Sequence, residues 1–241
     1  MFPIRDLNPT RIGPVVTILV IGVNVAAFFL WQPQTTEEAA AEFLYERAAV
    51  ACELTTGEPL SETEIVRGVC SDDPEPAVFA GKNVWLAGLA SMFFHGGLFH
   101  ILSNMWFLWI FGNNVEEAYG AAGYVGLYLA AGVAATATFV VLNPSETIPL
   151  VGASGAIAGV LGAYLVLYPA HSVLTWFLLF FVPVPAVLFL GFWFISQFTI
   201  AEPGVAWEAH VGGFLLGMLV TLPLRAALLR RVRELHGQYR Y

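Results

Sequence analysis

Six apolar runs, broken by Gly, Asn and Pro, set the pattern of this chain: roughly 14–31, 98–112, 121–142, 154–168, 172–196 and 207–229. A bilayer core of ~30 Å needs ~20 helical residues, so each run reads as a transmembrane helix. The second ends at Gly112-Asn113-Asn114, the third at Asn143-Pro144 and the fourth at Pro169. The first, Pro14 to Trp31, lacks a small-residue cleavage site and is followed by further spans, so it reads as a retained helix rather than a signal peptide. The pattern predicts an all-α fold, one bundle of six transmembrane helices occupying residues 1–241 as a single domain. Loop 32–97 is too long for a simple connector. Its second half, Val84 to Phe94, is apolar enough for short helices or a hairpin in the outer leaflet, shielded by protein.

Composition supports a membrane protein: 58% of the 241 residues are apolar and 12% charged, whereas a soluble domain carries about a quarter charged residues. The net charge of −8 is unevenly spread. Eleven acidic residues lie between Glu37 and Glu75, all of them in an insertion at about 34–76 of the loop. The ends hold Arg5 and Arg11, then Arg225, Arg230, Arg231, Arg233 and Arg240. Basic residues beside transmembrane ends mark the cytoplasmic side. Both termini are therefore expected inside, with a basic cytoplasmic tail at 230–241 and loop 32–97 outside. Cys52 and Cys70 both fall in that loop, where an oxidising compartment would let them pair; two unlinked thiols fit the same pattern.

The fourth run is short, about 22 Å from Ser154 to Tyr168 at 1.5 Å per residue. Loop 143–153 must dip into the membrane to reach Ser154, and irregular backbone at that depth implies an aqueous pocket opening outward. Gly155, Gly159 and Gly162 form a stripe beside Ser154, and His210, Gly213 and Gly217 form one on the sixth run. Contact along these stripes would bring the His210 imidazole to the Ser154 hydroxyl as its general base. Simple helix packing by the glycines, with Ser154 bonded back to its own helix, is the structural alternative. No acid is placed as a third member: Glu208 points away from His210 on a helix, and Glu202 sits in the preceding loop. His100 and Asn104, at i and i+4, could donate to an oxyanion together with the Ser154 amide, or could clasp two helices. His95 reads as a structural hydrogen bonder. No metal motif, phosphate loop or nucleic-acid patch is present, and no cofactor or metal is expected.

His95-x4-His100-x3-Asn104, Gly152-Ala153-Ser154-Gly155 and His210-x2-Gly213-x3-Gly217, in this order, resemble the rhomboid intramembrane serine proteases over nearly the whole chain. The resemblance implies Ser154 as nucleophile and His210 as base and acid, with His100, Asn104, Ala153 and Ser154 stabilising the oxyanion. Glu116, before Tyr119-Gly120, is implied as a structural hydrogen bonder, and the fifth helix, with Pro183 and Pro185 in mid-span, as a movable side entrance. Val151 and Leu86 depart from the usual glycine and arginine. Transmembrane proteins in the inner-membrane bilayer are the implied substrates, cut near their outer ends; oligomeric state is not specified. An inactive client-binding relative and a small transporter are the other readings. The second expects midplane charges or an internal repeat, and neither is found.

Overall fold

The computed structural model describes residues 2–71, 75–199 and 204–238; Asp72, Asp73, Glu202 and Arg240 lie outside them. Pro14 precedes the first helix, α1 (Val15–Ala26), which runs on as a π-helical turn through Ala27–Trp31. Its exposed first amides are met by a carboxylate. Glu116 accepts from the Val16 N–H at 2.9 Å, the Thr17 N–H at 2.8 Å and the Thr17 hydroxyl at 2.7 Å. A buried acid at a helix start satisfies donors that have no intrahelical acceptor.

Helix α6 (Leu98–Leu142) covers both the second and third apolar runs. The expected stop at Gly112-Asn113-Asn114 does not occur; the helix passes through it. Gly112 is there for packing, since a Cβ would come within 2.6 Å of the Tyr124 hydroxyl. The break falls at Gly120, with φ 71° and ψ 166°, giving limbs 98–119 and 121–142. Only glycine takes that conformation without strain.

Helix α7 (Ser154–Leu167) lies between the second limb of α6 and the final helix, α9 (Trp207–Gln238). Side chains added at Gly155 and Gly159 would strike Ala135 and Ala131 of α6, while Gly213 and Gly217 sit on the backbone carbonyls of Gly155 and Gly159. Close backbone approach through small residues replaces the hydrophobic drive that lipid cannot provide. Residues 230–238, within the expected basic tail, are helical and continue α9. Side chains of α9 dock on neighbouring helices: Arg225 donates to the Val166 carbonyl at 2.8 Å, and His236 Nε2 lies 2.9 Å from Glu117.

The run 172–196 is not one helix. Strands β2 (Ser172–Phe177) and β3 (Phe180–Pro185) form a hairpin, and only Ala186–Thr199 is helical (α8). Strand β1 (Phe2–Asp6) adds to the other side of β2, so the order is β1-β2-β3 and the fold is mostly helical rather than all-α. Val, Thr, Trp and Phe favour strands. Pro183 and Pro185 pair with Leu174 and Ser172 from an edge strand, where a missing N–H is tolerated.

Among the described residues, Leu98–Leu142 and Trp207–Gly237 are long and apolar enough to cross a membrane, and Val15–Trp31, Val84–Phe93, Ser154–Leu167 and Ala186–Thr199 are shorter apolar helices. Loop 32–97 is itself folded: α2 (Glu37–Arg47), α3 (Ala51–Thr56), α4 (Glu62–Arg67) and α5 (Val84–Ala90). Thr36 caps α2, and Ser61 and Glu64 form a capping box on α4. Cys52 and Cys70 are joined by a disulfide beside a small core of Val50 and Leu60.

At the other end of α7, Asp6 accepts from the Tyr164 hydroxyl at 2.9 Å and from Asn114. Burial pushes its carboxyl up from 3.8 to about 6, against the opposing hydrogen bonds of Tyr164, the Asn8 backbone and Asn114. A raised acid binds its proton more tightly folded than unfolded, so its penalty is absent below 3.8 and complete above about 6. Asp6→Asn should therefore raise the melting temperature at pH 7.5 and flatten its pH dependence between these values; an unchanged pH profile would exclude Asp6 as its source.

Candidate active site

Ser154 is the first residue of α7 and Ala153 its N-cap, so the amides here belong to a helix start, where donors lack intrahelical acceptors. The loop before them is held from two sides. The Leu150 N–H donates to the Ala49 carbonyl at 2.7 Å, and the Cys52 N–H to the Glu146 carbonyl at 3.0 Å, tying 146–150 to the acidic insertion. The Gly152 N–H donates to the Ser91 carbonyl at 3.0 Å, and the Ser91 hydroxyl accepts from the Ala49 N–H. Gly152 has φ +124°, and a Cβ there would lie 2.8 Å from Cε1 and Nε2 of His100 and 3.4 Å from the Ser154 hydroxyl. The His100 ring edge, Gly152 and Ser154 thus form one contact.

The tautomer of His100 follows from its neighbour. The Gly96 N–H donates to His100 Nδ1 at 3.3 Å, so neutral His100 carries its proton on Nε2, the nitrogen facing Gly152. Asn104, one turn along, gives one amide hydrogen to the His100 carbonyl at 3.0 Å and keeps the other. His95 is 2% exposed and packs edge-on to His100, with ring centroids 5.2 Å apart. Its peptide group makes the bonds: the His95 N–H donates to Gln32 Oε1 at 2.9 Å, and Gln32 Nε2 donates to the His95 carbonyl at 2.9 Å. Glu116 lies at the α1 start, where it bonds Val16 and Thr17 and takes no part in this cluster.

From α9, His210 enters the same cavity as Ser154, a hollow of about 950 Å³ also lined by His100, Asn104, Gly152 and Trp193. The glycine contacts fix this meeting: Gly155, next to Ser154, abuts the Ala209 carbonyl and Gly213, which bracket His210. Glu208, also on the cavity wall, accepts from the Asn143 amide at 3.2 Å. His210 Nδ1 is 2.7 Å from Gln197 Oε1 on α8, and the Trp193 ring lies alongside at 6.1 Å. Sequence reading missed Gln197, although an amide in an otherwise apolar helix was a signal by itself.

A family model described as the Rhomboid domain matches residues 82–227. The chain is similar to rhomboid protease GluP of Bacillus subtilis, 29% identical over 214 residues that cover 88% of this chain and 35% of that protein. It is also similar to the mitochondrial Rhomboid protein 1 of Saccharomyces cerevisiae, 30% identical over 145 residues covering 54% of this chain and 39% of that one. RHOMBOID-like protein 12 of Arabidopsis thaliana, also mitochondrial, is 29% identical over 163 residues, 59% of this chain and 47% of the relative. The chain spans less than half the length of these relatives.

Proposed function

Because this chain belongs to the rhomboid family, we propose that it is an intramembrane serine endopeptidase that cuts transmembrane proteins near their outer ends through Ser154 and His210. The observation that carries this reading is their opening into one cavity beside the Nε2–H edge of His100. The Ser154 hydroxyl attacks a scissile carbonyl carbon and gives its proton to His210 Nε2. His100 Nε2–H, the Ser154 and Ala153 amides and the spare Asn104 hydrogen receive the oxygen that becomes negative. When the C–N bond breaks, His210 returns the proton to the leaving amine. Water activated by the same imidazole then hydrolyses the acyl ester.

The six spans of this reading are α1 with its π turn, the two limbs of α6, α7, α8 and α9, in one domain over 1–241. Loop 32–97 and the Ser154 end face outward. The termini, β1 to β3 and the basic end of α9 face the cytoplasm from the inner membrane. The 14-residue α7 is ~21 Å long against a core of ~30 Å, which supports a submerged Ser154 reached through a wet cavity. A substrate helix hides its amides in its own hydrogen bonds and must unwind first, so glycine, proline or β-branched residues below the cut should speed cleavage.

The test is a serine-directed phosphonate and a transmembrane substrate presented to purified wild type, Ser154→Ala and His210→Ala. Labelling and cleavage should be present in the first and lost, by ~10³-fold or more, in both variants. Cleavage that survives Ser154→Ala would end the proposal.

A further inference from the structure

The geometry points to Gln197 as a positioning residue that fixes the tautomer of His210. This rests on the protease reading, and names what readies its base. The orientation of the Gln197 amide is set within α8: Nε2 donates to the Trp193 carbonyl at 3.0 Å and lies 3.3 Å from the Ser196 hydroxyl. A carbonyl only accepts, so the nitrogen end belongs there and Oε1 is the end that meets His210 Nδ1 at 2.7 Å. An amide oxygen cannot donate. Nδ1 must therefore hold the hydrogen, which leaves Nε2 as the lone-pair nitrogen in the neutral ring. That is the protonation pattern a serine base requires. The third partner of the dyad is a neutral amide rather than a carboxylate, a substitution known to serve catalytic imidazoles.

Two consequences follow. Trp193 and Gln197 are one turn apart on the same face of α8, so a single helix supplies the ring beside His210 and the acceptor for its Nδ1–H. The base is thus readied by a helix other than the one that carries it. When α8 is displaced from α9, the acceptor leaves with it and the ring is free to adopt the other tautomer, in which Nε2 is protonated and cannot take the serine proton.

The experiment compares wild type, Gln197→Leu and Gln197→Glu in detergent. It measures kcat and KM on a transmembrane substrate, the phosphonate labelling rate of Ser154, melting temperature, and the imidazole ¹⁵N resonances of histidine-labelled protein. Gln197→Leu should lower kcat and the labelling rate roughly tenfold to hundredfold, with KM and melting temperature near wild type. Its His210 resonances should move from a fixed Nδ1–H pattern to a tautomer mixture. Gln197→Glu keeps the acceptor and should restore the fixed pattern and most of kcat. An unchanged His210 pattern in Gln197→Leu overturns the inference, as does a glutamate variant no better than leucine. Failure of the protease reading looks different: wild-type Ser154 is then unlabelled while the ¹⁵N spectra still report whether Gln197 holds the ring.

Discussion

Gly152→Ala should leave a folded protein that has lost ~10²–10³-fold in kcat, the scale of removing one oxyanion donor. Two effects act together. The φ of +124° at this residue suits glycine and costs any side-chain-bearing residue about 1–3 kcal/mol. In addition, the new methyl would sit 2.8 Å from Cε1 and Nε2 of His100, so the imidazole must turn away from Ser154 or the loop must shift. His100 cannot simply retreat, because Gly96 holds its Nδ1. The displaced group is the donor nitrogen itself. Gly126→Ala is the control, since nothing lies within 4 Å of its added Cβ and full activity is expected. Steady-state cleavage with thermal melting checks both; Gly152→Ala within a few fold of wild type would mean that His100 does not serve the oxyanion.

The contact between α7 and α9 beside the candidate site was legible because close packing is written in residue types. Glycine stripes favour close backbones, and Gly155 against the Ala209 carbonyl and Gly213 is such an approach, with Ser154 and His210 lining one cavity beside it. The hairpin at 172–185 was not legible. Its turn is Leu178-Leu179, with Leu178 at φ 54°, where a two-residue turn ordinarily announces itself by Asn or Gly. Without that mark, strands and helix merged into one apolar run, and edge-strand prolines read as lying in mid-span of a helix. The helix boundary at 112 failed for the converse reason: Gly112 serves contact with Tyr124 and Thr17, while the true break is the plainer Gly120. Gln197 stood out as an amide among apolar residues, but its role depends on which face of α8 meets α9, and periodicity in a helix apolar on nearly every side does not reveal a face.

Lys82→Met should unfold the outer unit and, through it, the loop that carries Gly152. Lys82 and Glu53 form an ion pair whose side chains are 1% and 2% exposed, with Lys82 also donating to the Tyr45 carbonyl at 2.7 Å and Glu53 accepting from the Leu60 N–H at 3.1 Å. Burial pushes the Glu53 carboxyl up and the Lys82 ammonium down, each opposed by the other's charge. Removing the lysine leaves a buried carboxylate with no counter-charge, a loss of about 3–5 kcal/mol. The variant should be cleaved faster by an added soluble protease within 37–71 at pH 7.5. Because the folded acid titrates above its ordinary 4.5, the defect must deepen as pH rises through that range and recede on acidification, where a neutral acid is tolerated. Replacing Glu53 by Gln in the same chain removes the stranded charge and should recover most of the protection. Substrate cleavage should fall with it, since α3 holds the loop at Glu146 and Ala49 holds it at Leu150. Equal resistance of Lys82→Met and wild type at pH 7.5 would show that the pair contributes nothing to the outer unit. Lost protection with undiminished cleavage would instead separate the insertion from the active-site loop.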